Sequence, residues 1–179
     1  MDKKELEELK TDLVNKTWTE DLHSGLQEID EDDARLIVES MDEDDINYKV
    51  NSRLYQEDYI ADYLEYLWEI SETSFWKHVK ATFNKHVGLL WSDNMFYFEK
   101  LCSYKIPSSM LSLVIEYIGS CDDKEKQDLE LLGCIVKSQV ENFKRLQEVQ
   151  NVIHSLPVNS RDVANSRITK MIHEPCKYL

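Results

Sequence analysis

Four glycines and three prolines in 179 residues leave this chain few places to turn sharply. Sheet-rich folds reverse direction often and need such residues at their reversals. A chain this poor in both is expected to run in long helices joined by few turns. The sequence therefore predicts an all-α fold: a compact bundle of about seven to eight helices with no sheet. The length suits one domain, 1–179, able to bury roughly 70% of its unfolded surface without a disulfide or metal. Within it, residues 1–50 are a candidate acidic lobe and 51–175 the main bundle.

Apolar periodicity supports the helices. Leu6, Leu9 and Leu13 mark a first one, and Thr17 with Glu20 reads as a capping box opening a second. Phe75, Val79, Phe83 and Val87 form one stripe behind a Ser71 or Ser74 cap. Leu111, Val114, Ile115 and Ile118 form another behind Ser108. Asp122 and Glu125 read as a second capping box. It would open a helix of about 30 residues, 122–155, on which apolar residues recur from Leu129 to Ile153. Gly133 inside that helix implies close approach of another one. Ser160 is expected to cap the last helix, with the tail after Pro175 frayed.

Charge is uneven. Residues 1–75 hold 23 Asp and Glu against 7 Lys and Arg, whereas 76–179 hold 12 against 14. An acidic half of this kind repels phosphate backbones, so no direct nucleic-acid binding is expected there. Two readings of it stand: a surface that attracts a basic protein partner, or a solvated acidic surface that serves solubility only. Asp30 to Asp33 suit a helix start. Asp42, Glu43, Asp44 and Asp45 oppose the dipole at that helix's far end, so they belong to a loop or to the start of the next helix. Residues 41–51 are the best candidate for irregular backbone.

A tyrosine-rich helix should follow. Tyr59, Tyr63 and Tyr66 face inward, while Tyr48 and Tyr55 fall beside Glu57, Asp58 and Asp62. Tyrosine gives contact area at small entropic cost. The candidate partner-binding surface is thus Asp42, Glu43, Asp44, Asp45, Tyr48, Tyr55, Glu57, Asp58 and Asp62. Lys137, Lys144, Arg145, Arg161, Arg167 and Lys170 form a milder basic set, with a solvated face as the default reading.

Reaction motifs are missing. There is no phosphate loop, no H-E-x-x-H and no nucleophile elbow. His23, His78, His86, His154 and His173 lack metal-ligand spacing, and the 42–45 acids lack the glycine of a calcium loop. No catalytic residue, metal or cofactor is expected. Cys102, Cys121, Cys134 and Cys176 show no paired spacing, so free thiols in a reducing cytoplasm are expected. The charged amino terminus does not resemble a signal peptide, and no stretch is apolar enough for a membrane helix.

These features favour an acidic helical binding module: an inhibitor or neutralising protein, of antitoxin or immunity type, that docks on a basic partner such as a nuclease. The parallel is one of charge and size. One alternative is an adaptor subunit that pairs helix 122–155 with a partner. Another is an enzyme whose site is unreadable from sequence. Oligomeric state is not encoded in any of these patterns.

Overall fold

Helices account for every regular element among the described residues, and no strand occurs among them. The computed structural model describes residues 2–19, 31–46, 65, 67–85, 87–90 and 96–178, with backbone alone at 16–19, 85, 89, 90 and 96. Contacts group the chain into two compact units, Met1–Asn94 and Met95–Leu179. The acidic lobe expected to end near residue 50 lies inside the larger first unit. Residues 1–94 carry 24 Asp and Glu against 10 Lys and Arg, and 95–179 carry 11 of each. The whole net charge of −14 therefore belongs to the first unit.

In that unit, α1 (Lys3–Thr19) starts where an Asp2 carboxylate oxygen accepts the Glu5 amide at 2.8 Å. It runs through Thr17, so the capping box expected there does not form. A cap requires non-helical backbone at Thr17, and no glycine or proline before it stops the helix. Helix α2 (Glu31–Ser40) packs on α1 and buries Ala34, Ile37 and Val38. Its first turn holds Glu31, Asp32 and Asp33, as the dipole argument requires.

The chain leaves α2 at Met41 and re-enters helix at 43–46, with an Asp42 carboxylate oxygen accepting the Asp45 amide at 2.8 Å. Backbone expected to be irregular is thus helical at 43–46. The acids open a new turn, one of the two arrangements that charge placement allows. Helix α3 (Glu72–Lys85) begins behind Ser71, whose hydroxyl accepts the Ser74 amide at 3.3 Å. Phe75, Val79 and Phe83 are buried along it, and Val87 is buried in the 3-10 turn Val87–Leu90.

The second unit contains α4 (Phe96–Ser103), α5 (Ser108–Ser120), α6 (Lys126–Phe143), α7 (Leu146–Ser155) and α8 (Val158–His173). Helix α8 packs on α5 and α6. Ser108 and Ser160 were expected as caps, but Pro107 and Pro157 hold the cap positions and no side chain caps either helix. A fixed proline φ already presets the chain for helix entry, which frees the serine for other contacts. Asp122 likewise does not cap α6; its carboxylate accepts the Lys124 amide at 3.0 Å and turns the loop.

The single helix expected over 122–155 is two. Lys144 takes a left-handed conformation, φ 57°, and ends α6. That corner directs Arg145 into the interior, where it is 4% exposed. Its guanidinium bonds to the Ile106 carbonyl, the Gln139 side chain and the Glu148 carboxylate. Four hydrogen bonds from one planar group, made in one place, offset the unfavourable αL residue.

Gly133 does mark close packing: a Cβ there would lie 2.9 Å from Met171 Cγ on α8. Gly119 on α5 is tighter in kind, because a Cβ would lie 2.8 Å from the backbone carbonyl oxygen of Ser160. A side chain can swing aside, but a helix backbone must move whole. Gly119→Ala should therefore destabilise the protein by a net ~1–2 kcal/mol despite alanine's better helix propensity, as read by urea denaturation. Gly133→Ala should cost less.

Candidate functional site

Two surfaces could carry function, one in each unit. The first is acidic. Asp42, at the start of the turn 43–46, and Glu43 and Asp44 on it are exposed, and Asp45 is half-buried behind them. Exposed carboxylates also lie on the neighbouring helices: Glu5, Glu7, Glu8 and Asp12 on α1, and Glu31 and Asp32 on α2. Some are paired locally. Lys4 meets Glu8 at 3.4 Å and Arg35 meets Glu31 at 2.6 Å, both on the surface, where such pairs are weak. Asp33 is the exception: it points inward and bonds His78 at 2.9 Å. Tyr48, Tyr55, Glu57, Asp58 and Asp62, the rest of the expected surface, lie outside the described residues.

The second surface is a groove of about 370 Å³ between α6, α8 and the C-terminal tail. Lys126, Lys137, Arg167, Lys170 and Lys177 line it, with Asp123, Glu130 and Glu174 among them. The expected basic set therefore divides. Lys137, Arg167 and Lys170 reach the groove. Lys144 is exposed at the α6–α7 corner, Arg145 is buried beneath it, and Arg161 donates to the Leu156 carbonyl at 3.0 Å. The groove cations also have structural tasks. Arg167 binds the Ile118 carbonyl at 2.6 Å and the Asp123 carboxylate, closing the loop after α5.

Cys134 and Cys176, expected as free thiols, form a disulfide in the groove wall. The tail expected to fray is fastened by it. Lys137 Nζ adds bonds to the Ile172 and Glu174 carbonyls at 3.2 and 2.6 Å, and the Tyr178 hydroxyl bonds Glu130 at 3.3 Å. Cys102 and Cys121 remain thiols. Burial pushes the Cys102 thiol up to about 12. Burial also raises that of Cys121, against the opposing pull of nearby Arg167. Neither is poised as a nucleophile, because the thiolate is the reactive form.

No family model, curated protein or solved structure matches this chain. Functional reasoning therefore rests on charge and geometry. Among the described residues, no three His, Cys, Asp or Glu side chains gather as a metal site, and no helix is long and apolar enough to cross a membrane.

Lys126 and Lys177 complete the groove and were missed by the sequence reading. They lie 51 positions apart, and only the folding of the tail against α6 brings them to one surface. The available signal was Gly133, which marks where α8 comes close enough to share a groove with α6.

Proposed function

We propose that residues 1–94 form an acidic docking unit through which the protein inhibits or neutralises a basic partner, a nuclease or another nucleic-acid enzyme. One observation carries the reading: the entire net charge of −14 falls within one of two compact units, with Asp42, Glu43 and Asp44 exposed on a single short turn. Carboxylates held outward can occupy a groove made for phosphates, each replacing one phosphate charge. The adaptor alternative has weaker support, since the continuous helix it would use is broken at Lys144.

Titrating the protein into nuclease assays of a host extract tests the reading. Inhibition should be strong at low ionic strength and fall steeply as salt is raised. Glu43→Lys with Asp44→Lys should weaken it about tenfold or more with little loss of stability. Asp42→Asn is the companion variant, because asparagine removes the charge but keeps the cap to the Asp45 amide. Salt-independent inhibition, or full inhibition by the reversed variant, would refute electrostatic docking.

A further inference from the structure

Three observations meet at Cys134–Cys176. The bond lies in the wall of an open groove, with Cys176 half-buried and Cys134 5% exposed, so one sulfur is the more accessible to attack. Lys137, Arg167, Lys170 and Lys177 in that groove are ion-paired with carboxylates, and Lys126 adds a further positive charge that favours an entering thiolate and a departing one. The bond also secures little besides the tail. Helices α6 and α8 bury Leu132, Ile135, Val136, Ala164 and Ile168 independently of it. The tail's other fastenings include polar bonds near the surface, Lys137 to the Glu174 carbonyl and Tyr178 to Glu130, and one edge-on contact of Tyr178 with buried Phe98.

We propose that this disulfide is a redox latch, opened through the groove by a dithiol reductant, which frees residues 174–178 and widens the groove between α6 and α8. A thiolate of the reductant attacks Cys176 Sγ, and the Cys134 sulfur leaves as a thiolate. The reductant's second thiol then attacks its own sulfur in the mixed disulfide and expels Cys176. The reductant ends as a disulfide. Its two protons end on Cys134 and Cys176, so two electrons pass to the protein. A bond of this kind forms in oxidising surroundings and opens in reducing ones, so the groove reports the compartment the chain occupies.

Full-length protein purified without reductant should show Cys134 linked to Cys176 by peptide mapping, with Cys102 and Cys121 as thiols. Dithiothreitol under native conditions should reduce the bond. Hydrogen exchange should then show protection lost over 174–178 and retained over 126–143. Cys176→Ser should show the same loss without reductant. Lys126→Met with Lys170→Met should slow reduction several-fold at low salt. Four free thiols in the untreated protein would overturn the proposal. So would a bond that resists the dithiol until the fold is denatured, a tail still protected after reduction, or protection lost throughout 95–179.

Discussion

Arg145→Met should destabilise residues 95–179 by about 3–5 kcal/mol, because it leaves buried polar groups without their partner. The guanidinium donates to the Ile106 carbonyl at 2.6 Å and to Gln139 Oε1 at 2.9 Å. It also grips the Glu148 carboxylate through Nε and Nη2, at 2.7 and 2.8 Å. Gln139 extends the network, donating to the Leu101 and Tyr104 carbonyls and accepting the Ile106 amide. These bonds tie the α6–α7 corner to the chain between α4 and α5. Methionine fills similar space, so the loss reads the polar network and not a cavity. Urea denaturation gives the magnitude, and hydrogen exchange at 101–106 and 144–149 gives the location.

The same contact sets an acid limit. The hydrogen bond from Arg145 holds the Glu148 carboxyl down to about 2; partial burial opposes it, and Ser108 assists. A carboxyl depressed in the folded state adds stability above its unfolded value, here near 4.5, and loses it as pH falls toward 2. Its side chain is 33% exposed, so solvent screening reduces the effect to about 1–2 kcal/mol. Arg145→Met should flatten the stability curve in that acid window. An unchanged curve, or a loss below about 1 kcal/mol, would show the network to be incidental to stability.

Helices were legible where one face meets the core. Phe75, Val79 and Phe83 repeat at four-residue steps and are all buried. The break at Lys144 was not legible. Apolar residues continue across it at Val140, Phe143 and Leu146 as if the helix were unbroken, and lysine is not a residue that favours φ above zero. What decides the corner is a buried arginine, and a charged side chain in sequence reads as surface. Serine caps failed at Ser108 and Ser160 because the preceding proline already sets the helix start. Pairing of Cys134 with Cys176, 42 residues apart, depends on a tail that folds back, which no local pattern records. In the acidic surface, dipole electrostatics kept Asp42 out of the end of α2 but left a loop and a new helix start equally open, and the structure takes the helix start. The groove needed the α6–α8 crossing to exist before its cations could meet.

In residues 1–94, His78→Leu should cost about 2 kcal/mol, since it removes the 2.9 Å partner of a buried carboxylate whose ion pair to Lys77 is longer, at 3.9 Å. Asp33 sits in the first turn of α2 and His78 on α3, 45 residues apart, and each is 4% exposed. Their 2.9 Å bond joins two helices of a unit that also carries a net charge of −14. Asp33→Leu should cost a similar amount. The double substitution should cost less than the sum, because the two single changes remove the same hydrogen bond. All four tryptophans lie in 1–94, and Trp76, two residues before His78, packs edge-on against Trp68. Tryptophan emission during urea denaturation therefore follows this unit. Salt supplies the separating control. It should stabilise the fold by screening carboxylates from one another, while weakening any docking that those carboxylates drive. A His78 variant whose folded tryptophan emission returns with added salt would have failed by unfolding; loss of inhibition with salt in the wild type, with emission unchanged, would report the docking charge itself.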